Sequence, residues 1–356
     1  MKGLILAGGH GTRLRPLTFT GNKHMIPIAN KAMIFHGLEH LIKAGIKNIV
    51  IVLGPLKEGI KEAIGDGQKF GINVTYIEQG EPKGLAHAVI ISEQALGDEP
   101  FVMYLGDNLI KQGVKPLIYS YHNESSDCVI CISRVKNPSQ YGVVEIDPNG
   151  RVIKLVEKPR EPASNLALAG VYIFNKEVFE AIRRIKPSWR NELEITDTIQ
   201  YLLNAGKKIT AQYIEGWWKD TGRPEDLLEA NQLVLDDLSS SVDHIDDPSC
   251  RIIGKVYLGN DCIIHPNTTI RGPAIIGEKC EIGPNVYIGP YTSIGDRSRI
   301  LSGEIENSII MNGVVINCKK RITESIIGNN SVLESGENSL PSGLRFTLGE
   351  STSCRL

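Results

Sequence analysis

Three groups of residues in this chain are suited to phosphate chemistry. They are a glycine turn with two arginines, a lysine shortly after it, and two aspartates far apart in sequence. The turn, Gly8-Gly9-His10-Gly11-Thr12-Arg13, follows the apolar run Leu4 to Ala7 directly. Glycine lacks a Cβ, so such a turn can tip several backbone N–H groups toward one point and let an anion come close. Arg13 and Arg15 add fixed positive charge, and Lys23 follows in the stretch from Gly21 to Pro27. Gly8, Gly9, Gly11, Arg13, Arg15 and Lys23 together read as a pocket for a triphosphate and for the charge on a departing pyrophosphate, with Leu6, Ala7 and Thr12 as the flanking residues of the same nucleotide-binding stretch. Asp107 ends the apolar run that begins at Phe101, and Asp220 sits between Trp218 and Gly222, just before a helical pattern. Taken singly, each aspartate is an ordinary turn residue. Two carboxylates at strand ends beside a phosphate pocket suit one Mg²⁺, which favours one or two carboxylates with phosphate and water.

Two common phosphate loops are excluded. A P-loop carries Lys-Ser or Lys-Thr directly after its last glycine, whereas Thr12-Arg13 follows Gly11 here. A dinucleotide fingerprint needs a third glycine where this chain has Leu14. Totals exclude more. The chain has 356 residues and a formal charge of −2, so it is long enough for two domains and shows no bulk basicity for nucleic acid. No apolar run approaches the roughly 20 residues of a membrane span, and the first residues read as a strand rather than a signal peptide. Seven scattered cysteines fit a reducing, cytoplasmic setting. Cys128 and Cys131 form a C-x-x-C inside a strand-like run, where positions three apart face opposite ways, so they do not read as a metal or redox pair.

These residues need a scaffold. Residues 49–54, 72–78 and 101–107 read as strands, and 31–44, 56–65 and 84–95 carry apolar residues at helical spacing between them. That alternation predicts a Rossmann-like α/β fold with a mostly parallel sheet, whose ligands lie beyond the carboxyl ends of the strands. Residues 128–135, 141–146, 151–157, 167–174 and 209–214 predict further strands, appended or mixed. A helix is expected over 224–236, opened by Pro224, Glu225 and Asp226. Residues 237–250 are polar and aperiodic, and read as a linker between a first domain, 1–236, and a second, 251–356.

From Leu258 the texture changes. Leu258, Ile264, Ile270, Ile276, Ile282, Ile288, Ile294 and Ile300 recur every six residues, with a small or β-branched residue two positions before each. This period predicts coils of a parallel β-helix with the apolar residue inward. The frame slips after Ile300 and resumes at Ile310, Ile316 and Ile322. Cys262 and Cys280 fall on inward positions, and His265 on an exposed one.

The run Leu6-Ala-Gly-Gly-x-Gly-Thr-Arg-Leu-x-Pro, followed by Lys23, Asp107 and the Trp-x-Asp-Thr-Gly around Asp220, resembles the signature of the sugar-phosphate nucleotidyltransferases. Residues 1–236 resemble glucose-1-phosphate thymidylyltransferases, and the hexapeptide tail resembles the left-handed β-helix of their long form. The resemblance implies roles for further residues. Gln79 and Gly84 stand in the base-recognition segment, where an amide can meet a pyrimidine edge. Gly142, Glu157, Lys158 and Val171 stand in the sugar-phosphate segments, and the stretch from Glu192 to Asp197 supports them. Glu157 can accept from sugar hydroxyls and Lys158 can hold the attacking phosphate. His24 departs from the pattern, where glutamine is usual, and so does Asn30-Lys31-Ala32-Met33.

The implied reaction joins an NTP, foremost dTTP, to a sugar 1-phosphate, foremost glucose 1-phosphate, with Mg²⁺ as cofactor and pyrophosphate as second product. Arg13, Lys23 and Lys158 would carry the catalysis, with Asp107 and Asp220 on the metal. The expected partners are these small molecules and further copies of the chain, with no nucleic acid and no membrane. A UTP-dependent enzyme for glucose or N-acetylglucosamine 1-phosphate is the alternative within the class. An acyltransferase using the β-helix, or a scaffold with an inactive transferase domain, are the alternatives outside it.

Overall fold

The protein is seen here as a computed structural model, which describes residues 1–242, 245 and 247–335. Part of the expected linker and residues 336–356 of the expected second domain therefore lie outside the described residues. By packing, the chain forms two units. The first comprises residues 1–11, 20–25 and 33–220, and the second residues 12–19, 26–32 and those from Thr221 on.

The first unit is built on a nine-stranded sheet. Four strands, Phe101–Leu105, Lys2–Ala7, Asn48–Leu53 and Asn73–Glu78, lie side by side and parallel. Their central members are apolar runs because both faces are covered: Leu4, Ile5, Ile51 and Val52 are wholly buried. Helix Met33–Lys43 buries Ile34, Leu38 and Leu41, a spacing that puts one stripe on the sheet. The sheet becomes mixed at strand Leu166–Phe174, which is buried at all nine positions and runs antiparallel to Phe101–Leu105. It also pairs antiparallel with Cys128–Arg134, and Gly142–Ile146 with Val152–Glu157 complete the edge. Residues 84–95, expected as one helix, form two short ones, Leu85–Ile90 and Glu93–Leu96. Cys128 and Cys131 are buried in the cores on opposite faces of the sheet. Burial pushes both thiols up, Cys131 to about 12.

A small ladder outside this sheet places the two aspartates. Asn108–Ile110 pairs antiparallel with Trp218–Asp220, and Asp220 stands opposite Asn108.

In the second unit, strand Val256–Leu258 lies on Ala274–Ile276, which lies on Thr292–Ile294, each step advancing 18 residues. Three hexapeptides therefore make one coil of a parallel β-helix. Ile270, Ile276, Ile282, Ile288, Ile294 and Ile300 fill its interior. Leu258, Cys262 and Ile264 are only half buried, since they belong to the first coil and, among the described residues, no further coil stacks on its open side. Beyond Ile300 the coil tightens: Ile305 lies beside Ile288 and Ile310 beside Ile294, steps of 17 and 16. Ile305 is thus the inward residue at the slip. His265 is partly buried rather than exposed, because its Nε2 meets Glu281 at 3.1 Å and Arg299 donates to the same carboxylate at 2.7 Å.

Helix Pro224–Asp236, with the limits the sequence predicts, belongs to this unit. Asn231 donates to the carbonyl of Tyr291 at 3.0 Å and accepts from the N–H of Ala29 at 2.8 Å. Asn30 donates to the carbonyl of Ile294 at 2.6 Å, so residues 26–32 are tied to the coil as well. Among the described residues, no helix is long and apolar enough to cross a membrane.

Candidate active site

The glycine turn opens where strand Lys2–Ala7 ends. Leu6 and Ala7 are buried in the core, so they meet a ligand, if at all, through their backbone. Gly8 is buried because Gln79 lies against it: a Cβ there would stand 2.5 Å from Gln79 Oε1. Lys23 reaches across Gly9 and its ammonium pairs with Asp107. Burial pushes the Asp107 carboxyl up, but Lys23, with His24 and the Asn108 hydrogen bond, together more than offset it and hold the group well below the usual carboxylate range.

Asp107 is also fixed from its other side. Asn108 Nδ2 donates to Asp107 Oδ1 at 2.9 Å, and Trp218 Nε1 donates to Asn108 Oδ1 at 2.7 Å. Gly170 makes room for this clamp, since any side chain there would collide with Asn108. The ladder register then brings Asp220 alongside, opposite Asn108. Directly opposite residues in antiparallel strands lie about 4.5–5.5 Å apart at Cα, so Asp107 and Asp220 share one small region. Tyr141 packs edge-on against Trp218 at 5.3 Å, which ties this region to the segment before Gly142.

Glu157 and Lys158 follow at the end of strand Val152–Glu157. Glu157 accepts from Thr196 Oγ1 at 2.6 Å and faces Arg190 Nη1 at 3.5 Å. Burial pushes its carboxyl up, and the Thr196 hydrogen bond pulls the other way. Gly142 lies against both Thr196 and Glu157. Lys158 takes a left-handed φ of 41°, uncommon for a side-chain-bearing residue and more so before a proline. Its N–H bonds the carbonyl of Tyr141 at 3.0 Å, which holds this conformation. Val171, expected near the sugar, is wholly buried in the core, so its side chain is not a sugar contact and only its backbone can take that part.

Thr12 and Arg13 form a short turn of the second unit, both exposed, with Arg13 beside Gly222. Sequence reasoning missed Asn108, Trp218, Arg190 and His87. The first two stand next to singled-out residues, in Gly-Asp-Asn and Trp-Lys-Asp, and that adjacency was their only signal.

His24, the departure from the usual pattern, is buried beside this cluster, with Nδ1 2.7 Å from Asn22 Oδ1. Burial, then Lys23, lowers its pKa to about 3. Its folded value lies below the unfolded value near 6.5, so its contribution is complete above 6.5 and is lost progressively as pH falls from there through about 3. At pH 5 the loss is about 2 kcal/mol. His24→Gln is expected to flatten the melting temperature between pH 7 and 5. An unchanged pH slope in calorimetry would show that His24 titrates normally.

Residues 2–237 match the nucleotidyl transferase family, and residues 264–338 match the GMPPB C-terminal domain. The chain is 47% identical over 357 residues to the low-salt glycan biosynthesis nucleotidyltransferase Agl11 of Haloferax volcanii, covering 100% of both. It is 45% identical over 351 residues to a glucose-1-phosphate thymidylyltransferase of Streptomyces antibioticus, covering 98% of each. A solved structure of UDP-glucose pyrophosphorylase complexed with UDP-glucose superposes with a TM-score of 0.60 at 30% identity, over 66% of this chain and 98% of that one. The chain belongs to the nucleotidyl transferase family. It is a sugar-1-phosphate nucleotidyltransferase with a hexapeptide-repeat C-terminal region.

Proposed function

We propose that the chain transfers thymidylyl from dTTP to glucose 1-phosphate. The observation that carries this reading is the ladder that sets Asp220 beside the Asp107–Asn108 turn, in the same unit as the Gly8 turn, Lys23 and Lys158. The preference for dTTP is supported by the name of the Streptomyces relative, which matches almost end to end. The UDP-glucose enzyme supports UTP as the alternative base.

A sugar-phosphate oxygen attacks the α-phosphorus in line, and the bond to the β-phosphate oxygen breaks as pyrophosphate leaves. The protein positions these groups and balances their charge. Lys158 aligns the attacking phosphate, and Glu157 takes sugar hydroxyls. Backbone groups from Leu6 to Gly11 hold the triphosphate, and Lys23 meets charge on the leaving pyrophosphate; the sequence motif gives Thr12 and Arg13 the same two parts. Gln79 and Gly84 receive the base. Asp107 and Asp220 fit Mg²⁺, which when bound neutralises charge on the phosphate oxygens. Among the described residues no three potential ligand side chains cluster, so the aspartate pair relies on nucleotide oxygens to complete the shell.

The sequence motifs support residues 1–236 as the transferase domain, 237–250 as a linker and 251–356 as the β-helix domain, although by packing residues 12–19, 26–32 and those from Thr221 on group with the second unit. The β-helix serves assembly: Ile253, Tyr257 and Ile263 near its start are exposed apolar residues suited to a second copy. The free thiols among the described residues fit a cytoplasmic enzyme.

The test is pyrophosphate release with dTTP, UTP, CTP, ATP and GTP, each crossed with glucose and N-acetylglucosamine 1-phosphates. The pair dTTP and glucose 1-phosphate should give the highest kcat/KM. One methyl group is worth roughly 1–3 kcal/mol in a fitted pocket, so UTP should follow within about 10–200-fold. A higher kcat/KM for UTP, or release that does not need the sugar, would overturn the reading.

A further inference from the structure

Gln79 is buried at the end of strand Asn73–Glu78, and its amide hydrogens are both engaged. Nε2 lies 3.4 Å from the carbonyl oxygen of Gly84 and 3.3 Å from Nδ1 of His87. A primary amide has two N–H donors and one carbonyl acceptor. With both donors taken, only Oε1 is left to offer, and Oε1 is the atom held against Gly8 at the start of the phosphate turn. Rotating the amide by half a turn would set Oε1 against the Gly84 oxygen and, with the ring proton on Nε2, against the Nδ1 lone pair as well. The turn of helix Leu85–Ile90 that carries His87 thus fixes which end of Gln79 the pocket sees.

We propose that His87 is a specificity-determining residue. It accepts an amide hydrogen from Gln79, so the pocket presents an acceptor to the base and selects pyrimidines whose N3 carries hydrogen. Thymine and uracil have an N3–H donor flanked by two carbonyls, and match an acceptor. Cytosine has an N3 lone pair and meets Oε1 with repulsion. This deepens the thymidylyl reading and rests on it only for the placement of the base at Gln79. His87 must be neutral with its proton on Nε2 to accept at Nδ1. Burial, with Lys83 adding to it, lowers its pKa and favours the neutral ring, and the amide hydrogen of Gln79 selects the tautomer with the proton on Nε2. His87 touches Gln79 and not the reacting atoms, so its part is positioning.

The test compares wild type, His87→Leu and His87→Asn as full chains. Asparagine can return an acceptor oxygen to about the place of Nδ1; leucine cannot. Equilibrium binding of dTTP and dCTP is measured by calorimetry, alongside kcat/KM for both nucleotides with glucose 1-phosphate. His87→Leu should lower the dTTP-to-dCTP ratio by about tenfold or more in both measurements, because a mismatched buried polar group is no longer enforced. The change should lie in nucleotide affinity and KM, with kcat for dTTP nearly kept. His87→Asn should recover most of the ratio. His87→Ser carries the same expectation as leucine if the latter does not fold. An unchanged binding ratio in the leucine or serine variant overturns the role of His87, whatever the transfer rates. A shifted binding ratio in a protein that transfers no thymidylyl would uphold His87 and remove the thymidylyl reading instead.

Discussion

Replacing Asp107 and Asp220 by Asn in one chain is expected to cost about as much kcat as the worse of the two single substitutions. Each single change should lower kcat by about a hundredfold or more, the scale seen when a group that stabilises transition-state charge is removed. The ground for non-additivity is the register that brings Asp220 opposite Asn108, directly beside Asp107. Groups that act as a unit lose their shared effect once, and the second removal finds little left. Lys23 already pairs with Asp107, so Asp107→Asn also frees an ammonium that had a fixed partner. This should make it the worse single variant. Raising Mg²⁺ should partly rescue both singles, and Asp220→Asn more fully. Steady-state rates across a Mg²⁺ series provide the check. Losses that multiply in the double variant, with unchanged Mg²⁺ dependence in the singles, would mean that the two carboxylates do not serve one ion.

Arg13→Ala should lower kcat by about a hundredfold with little change in KM for glucose 1-phosphate. Arg13 is exposed beside Gly222 on a short turn, one peptide beyond the Gly11-Thr12 bond, so its guanidinium can offer donors to an incoming anion. Its expected partner is the leaving pyrophosphate rather than the sugar. In the reverse direction the same variant should therefore show a raised KM for pyrophosphate. Arg13→Lys should recover part of the rate, since charge survives while the planar pair of donors does not. An unchanged kcat in Arg13→Ala would take Arg13 out of the mechanism.

Much of this was legible in the chain because the signals are local or periodic. The glycine turn, the buried strand before it and the helix opening at Pro224 each announce themselves within a few residues. The six-residue period predicts the coil, and even the slip after Ile300, because each inward isoleucine has a fixed place on a stacked strand. What the period missed was Ile305, which enters the core where the coil tightens from 18 to 17 residues. The clamp of Trp218 on Asn108 on Asp107 was not legible, since it joins two short strands about a hundred residues apart. Nor was the contact of Gln79 with His87, for one histidine on a short helix has no periodic mark. Residues 26–32 looked like part of the first domain, yet Asn30 and Ala29 are bonded to Ile294 and Asn231. Val171 is a different case: its side chain is committed to the core, so the sugar role that the motif implies falls to its backbone.

The most direct test of the account is phosphorus NMR of the full chain with dTTP, glucose 1-phosphate and Mg²⁺. The glucose 1-phosphate signal should be replaced by the two coupled resonances of a nucleoside diphosphate sugar, with one pyrophosphate formed for each. Inorganic phosphate in place of pyrophosphate, or pyrophosphate formed with the glucose 1-phosphate signal intact, would contradict it.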